Sequence, residues 1–266
     1  ISNASIQSRL NRFRRFYKNL GPGVITGASD DDPSGIATYS QAGAQFGLGI
    51  LWGALFQYPL MVAVQEMCAR IGMVTGGGLG NAIKKQFSNK VVFPITSLLL
   101  IASTFNIGVD IAAMTASTRL IFPQIPAFAV ALCFTGFIIG AEIFIPYKKY
   151  VKFLKFLTFS LFAYMITALI VGGNGYDIFV ASIIPHIEFN SAFVMILVAL
   201  FGTTISPYLF FWQASEEAEE DVAKNKIADI DSGTPSISKR EMKVMRTDVV
   251  AGMGFSLLIM WSIILT

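Results

Sequence analysis

Three consecutive carboxylates, Asp30, Asp31 and Asp32, run directly into Pro33, Ser34 and Gly35 inside an otherwise apolar stretch. Carboxylates are hard oxygen ligands that suit hard divalent cations. Pro33 withholds a backbone donor and Gly35 relaxes the chain, so a helix running through this segment must break. A second interruption lies at Gly202-Thr203-Thr204-Ile205-Ser206-Pro207-Tyr208, rich in hydroxyls and free of charge. At each break the C-terminal end of a half-helix presents unpaired carbonyls that carry partial negative charge. Neither segment contains Lys or Arg. The pattern points to a cation site centred on Asp32 and fixes no positive group that would favour an anion.

The surrounding elements must be membrane helices. The chain has 266 residues, of which 54% are hydrophobic and 14% charged, with a mean hydropathy of +0.61. Soluble domains carry roughly 25% charged residues, so this composition excludes an ordinary water-soluble enzyme and a disordered chain. Since about 20 apolar residues span a bilayer, the pattern predicts spans over 20–46, 49–73, 92–122, 126–145, 151–171, 192–214 and 248–266, with a tight external turn at Gly47-Leu48-Gly49. Three acids at membrane depth are costly. Irregular backbone there is tolerated where it lines a cavity or is buried in protein. The breaks fall in the first and sixth spans, and corresponding interruptions in two halves of a chain point to a transporter site near the bilayer midplane.

Basic residues orient the chain. Residues 1–19 form a tail with Arg9, Arg12, Arg14, Arg15 and Lys18 and no acid. Placing this tail in the cytoplasm and alternating the spans puts every other Lys and Arg on the inner side except Arg119, as the positive-inside rule requires. The expectation is a multi-pass integral protein of a bacterial-type plasma membrane, with a bilayer and a cation as partners and no nucleic acid. The polar stretch 215–247, with Glu216, Glu217, Glu219, Glu220 and Asp221 at its start, reads as a solvated cytoplasmic connection. The chain begins without Met and stops within an apolar run, which suggests truncation.

Other polar side chains have plainer readings. His186, the single histidine, falls in an outer loop and reads as a surface residue. Glu66 and Arg70 are spaced to pair along one helix. Glu142 reads as solvated, and Gly76-Gly77-Gly78 as a turn, since no nucleotide motif accompanies it. Cys68 and Cys133 sit in apolar runs and read as packing residues. Asp110, in an apolar span, fits either a role on an ion pathway or a structural hydrogen bond.

Gly21-Pro22-Gly23, Asp32-Pro33-Ser34-Gly35, Ala69-Arg70-Ile71-Gly72-Met73-Val74-Thr75-Gly76 and the second break together resemble the Nramp family of divalent-metal transporters. The resemblance implies an all-α, LeuT-like fold of two inverted five-helix repeats. On that scheme 20–171 is the first repeat and 192–266 the start of a second, about seven transmembrane helices in all. The Mn²⁺ and Fe²⁺ members carry Asp-Pro-Gly-Asn at the first break and Met-Pro-His at the second. Here Gly35 stands at the Asn position, Ser206 at the Met and Tyr208 at the His. A further His of the sixth span corresponds to Gln213. Asp110 keeps the first acid of the third span, while Ala113 replaces the second. This pattern is similar to the Nramp-related magnesium transporters. It implies Asp32, Gly35, Thr203 and Ser206 around the metal, with Asp30, Asp31, Asp110, Tyr208 and Gln213 beside it or along its route. Losing a thioether and gaining a hydroxyl favours a hard ion. Mg²⁺ sheds water reluctantly, so a wider oxygen-lined cavity suits it. The expected activity is secondary transport of Mg²⁺, with Mn²⁺ also open, without proton coupling and without a cofactor. A proton-coupled Mn²⁺/Fe²⁺ carrier is the near alternative. An intramembrane aspartyl protease and a non-transporting metal sensor are the distant ones.

Overall fold

The computed structural model describes residues 21–145, 149, 153 and 156–266. The tail 1–19, Lys148, Lys152 and Lys155 lie outside the described residues. The first predicted span is two helices, α1 (Pro22–Ser29) and α2 (Pro33–Phe46). A 3-10 turn, Gly47–Ile50, leads into α3 (Trp52–Thr75) through a bend of 107°, at the turn expected around Gly47-Leu48-Gly49. The short α4 (Leu79–Gln86) precedes two long helices, α5 (Asn89–Ile121) and α6 (Ala127–Phe144). A 3-10 turn at Thr158–Leu161 then opens α7 (Phe162–Val171), followed by the short α8 (Gly175–Ile183). The predicted sixth span is again two helices, α9 (Ser191–Thr204) and α10 (Pro207–Ala223), and the chain closes with α11 (Lys239–Leu265).

Among the described residues, four stretches are long and apolar enough to cross a bilayer: α5, α6, α11, and α9 and α10 taken across their break. The halves of the first span are each too short alone. Apolar side chains such as Phe105 and Phe128 project outward from α5 and α6, as a lipid-facing surface requires.

The breaks have local causes. α1 ends where the Asp30 amide bonds to the Thr26 carbonyl. Asp32 then caps α2, its side chain accepting the Gly35 N–H, and Pro33 takes the first helical position. Ser206 and Pro207 repeat the arrangement at α10. Ser206 supplies no cap, however, because its hydroxyl donates back to the carbonyls of Gly202 and Thr203.

Close helix contacts fix α1 in place. A Cβ on Gly27 would lie 2.2 Å from the Gly252 carbonyl oxygen of α11, so only glycine permits this approach. A Cβ on Gly72 of α3 would meet the Ala214 carbonyl of α10 at the same distance. Asp248 of α11 caps the start of α1, accepting the N–H groups of Gly21 and Gly23 at 2.7 Å each. Two apolar clusters fill the centre, one around Tyr39, Leu51, Leu200 and Met260, the other around Met61, Met73, Val249 and Met253.

The stretch 215–247 departs from expectation. α10 runs on to Ala223 and α11 starts at Lys239, so the connection is only 224–238. Glu216, Glu217 and Asp221 are buried at 5%, 3% and 1% exposure, not solvated. The reason is helical period: Gln213, Glu217 and Asp221 recur every fourth residue and share one inward face. Lys226 closes this region with ion pairs to Asp221 at 3.0 Å and Glu241 at 2.7 Å. Gly76-Gly77-Gly78 is a turn, and the Gly76 carbonyl accepts the Asp231 N–H of the connection. Glu66 pairs with Arg70, as expected, and also with Arg246 of α11. His186 is largely exposed, and both cysteines are free thiols.

Candidate metal centre

Asp32 is the meeting point of three elements. Its Oδ1 accepts the Gly35 N–H and the Ser34 hydroxyl, both at 2.7 Å. Its Oδ2 accepts the Asn106 side-chain amide of α5 at 2.9 Å and the Tyr208 hydroxyl of α10 at 3.2 Å. Asn106 Nδ2 also reaches Asp110 Oδ2 at 3.4 Å, and its Oδ1 accepts from Ser34 at 3.0 Å. A second link joins the two broken spans, where the Tyr39 hydroxyl lies 3.1 Å from Thr204 Oγ1. The two breaks, far apart in sequence, therefore adjoin.

The expected site residues divide into those gathered at Asp32 and those held elsewhere. Tyr208 touches the Asp32 carboxylate directly, and Asp110 is one amide away from it. Gly35 contributes its backbone, but the space beside it is not open: a Cβ there would lie 3.2 Å from both the Asp30 carbonyl and the Tyr39 hydroxyl. Ser206 is buried and its hydroxyl is turned onto its own helix, so it does not meet Asp32. Thr203 likewise donates to the carbonyls of Ala199 and Leu200. Gln213 donates to Glu217 at 3.0 Å, one turn further along α10. Asp30 and Asp31 are enclosed beside α11, where Ser256 donates to Asp30 Oδ2 at 2.7 Å.

Sequence reasoning missed Asn106, Ser34, Tyr39 and Thr204. Asn106 had a readable signal, an amide in an apolar span four residues before Asp110 and so on the same helix face. Tyr39 and Thr204 had none, because their pairing depends on how the two breaks dock.

Chemically, the centre offers one carboxylate, two hydroxyls and an amide, all without sulfur or imidazole. Among the described residues, no cluster of three or more His, Cys, Asp or Glu could hold a metal ion.

The Nramp profile, "Natural resistance-associated macrophage protein-like", matches residues 23–266. The chain belongs to the Nramp family. Among curated Nramp-type relatives, the Divalent metal cation transporter MntH of Listeria monocytogenes is 25% identical over 237 residues, covering 85% of this chain and 51% of its own length. The Metal transporter NRAT1 of Oryza sativa subsp. japonica is 27% identical over 209 residues, covering 75% of this chain and 37% of its own. The chain therefore spans about half or less of the relatives it matches. A crystal structure of the Eremococcus coleocola manganese transporter superposes with a TM-score of 0.72 at 16% identity, covering 95% of this chain and 51% of that one. The fold is thus the LeuT-like fold of the Nramp transporters, and the chain is an integral membrane protein.

Proposed function

We propose that the protein carries Mg²⁺ across the membrane by alternating access around the two helix breaks, with Asp32 as the principal ligand and without proton coupling. The observation that carries this reading is the Asp32 carboxylate, set where both broken spans meet and ringed by Ser34, Asn106 and Tyr208. These neutral groups supply hard oxygens, which suit Mg²⁺ better than the softer ions. Asp110 stands close enough to bias the local field towards a cation. The cytoplasmic orientation of the N-terminus, from the basic bias of the inner loops, belongs to the same reading.

A Mn²⁺ substrate is the second reading, favoured by the relatives named for divalent metals and manganese. It lacks the sulfur ligand that position 206 would supply. The protease alternative loses its footing, since Asn106 stands between Asp32 and Asp110, where a shared catalytic water would be needed. The test is uptake of Mg²⁺, Mn²⁺ and Ca²⁺ into proteoliposomes by the complete protein. Saturable, Asp32-dependent Mg²⁺ uptake is expected. Mn²⁺ uptake with no Mg²⁺ uptake would select the second reading, and no flux of either would end both.

A further inference from the structure

Asp32 Oδ2 faces α5 and α10, whereas Asp30 contacts α11 through Ser256 and Asp31 is its neighbour in the chain. Asp30 is fully enclosed and Asp31 is 4% exposed. Asp30 Oδ2 accepts from Ser256, but Asp30 Oδ1 and both Asp31 carboxylate oxygens have no hydrogen-bond partner among the described residues. Neither acid has an ion pair among those residues either. The last carbonyls of α1 end at the same place and add partial negative charge. Chain atoms already cover both side chains, so little surface is left for another segment to reach them.

Buried polar atoms are nearly always partnered, and an unmatched one calls for an explanation. Protonation would remove the charge and let each carboxyl donate to its neighbour or to the α1 carbonyls, but it would leave the partial negative charge of that helix end unmatched. A small cation would offset the buried charge of both acids and of that helix end together. We propose that Asp30 and Asp31, with the Ser256 hydroxyl and the carbonyl end of α1, form a second site for a small hard cation, separate from the centre at Asp32. The ion would tie the first break to α11. Its neighbour Tyr39, whose hydroxyl lies beside the Asp30 carbonyl across Gly35 and bonds Thr204, would connect it to the second break. This site stands independently of the transport reading, since it needs no movement of the ion.

Binding is tested on the complete protein in detergent, with Asp32→Asn removing the first centre. Thermal unfolding is followed against MgCl₂ and, separately, NaCl, with choline chloride holding ionic strength constant. A saturable rise in the unfolding midpoint with Mg²⁺ or Na⁺ is expected in Asp32→Asn, and the responding ion identifies the charge class. Adding Asp31→Asn should abolish the rise. Ser256→Ala should move the half-saturating concentration up at least about threefold, and it serves as the arm should Asp31→Asn not fold. No saturable rise with either cation in Asp32→Asn would overturn the site. So would a rise that survives Asp31→Asn, or one whose half-saturation Ser256→Ala leaves unmoved. Failure of this test leaves Asp32-dependent uptake in proteoliposomes intact, so the two proposals fall separately.

Discussion

Asp32 has a structural task as well as a chemical one, and the two can be separated by choice of substitution. Its Oδ1 caps α2 through the Gly35 N–H, while its charge is what a cation would meet. Asn is as good a cap as Asp, whereas Ala removes the cap at a cost of about 1 kcal/mol. Asp32→Asn and Asp32→Ala should therefore both abolish Mg²⁺ uptake, and only Asp32→Ala should also lose stability of that order. Uptake paired with denaturant or thermal unfolding checks both, and wild-type flux in either folded variant would remove Asp32 from the site. Asn106 is the second residue to test. It donates to both Asp32 and Asp110, and hydrogen bonds to charged groups contribute about 1.5–3 kcal/mol. Asn106→Leu should lower uptake at sub-saturating Mg²⁺ by about tenfold, equivalent to about 1.4 kcal/mol, with the protein still inserted. Asn106 went unread because a single amide in an apolar span gains meaning only once its turn-mates are known. Asp32 was legible because acid, proline and glycine together disobey every rule for a lipid-facing helix.

Among the elements, α1 is the one that cannot hold itself. It has eight residues and no side-chain cap of its own, since Gly21 occupies the cap position. Asp248 on α11 supplies the missing acceptors. Asp248→Ala should destabilise the protein by about 1–2 kcal/mol, the usual cost of a lost cap, while Asp248→Asn, which keeps an acceptor, should lose less; unfolding midpoints of the two variants decide it. The other end of the α10–α11 connection depends on Lys226. Burial pulls its ammonium pKa down, but Glu241 and Asp221 outweigh that and leave it raised above the ordinary lysine value of 10.5. A raised folded pKa means this contribution is fully present below about pH 10 and is lost only as pH rises through the folded value. Lys226→Met should cost about 1–3 kcal/mol by leaving Asp221 buried without its partner. The loss should be constant from pH 6 to 9 and shrink at higher pH, as measured by unfolding at each pH. These contacts explain what the sequence concealed. The positions of both breaks were readable from proline and glycine, and the outward apolar faces from hydropathy. The burial of Glu216, Glu217 and Asp221 was not, because a run of acids reads as solvated until the helix carrying them is known to continue against α3.

For the molecule as a whole, the decisive question is what drives the ion. Proton coupling requires groups near the metal that gain and lose protons during the cycle. His186, the only histidine, is at the surface beside Glu188 and lies in neither break. Tyr208 and Gln213 stand where the family places histidines, and an unperturbed tyrosine titrates near 10. Ala113 removes one acid of the third span, leaving Asp110. The membrane potential, by contrast, acts on any divalent ion at about 2.3 kcal/mol per charge per 100 mV, or about 4.6 kcal/mol for Mg²⁺ at that potential. On the proposed uncoupled cycle, this drive acts on the ion at Asp32 without a proton partner. Mg²⁺ uptake by the complete protein should therefore rise with an inside-negative potential set by valinomycin and K⁺. A pH-sensitive dye inside the same proteoliposomes should record no acidification that tracks the metal. Asp110→Asn should keep the voltage dependence while changing the flux only through its effect on Asn106. Acidification proportional to Mg²⁺ flux would sink uncoupled transport, and its disappearance in Asp110→Asn would identify Asp110 as the proton carrier.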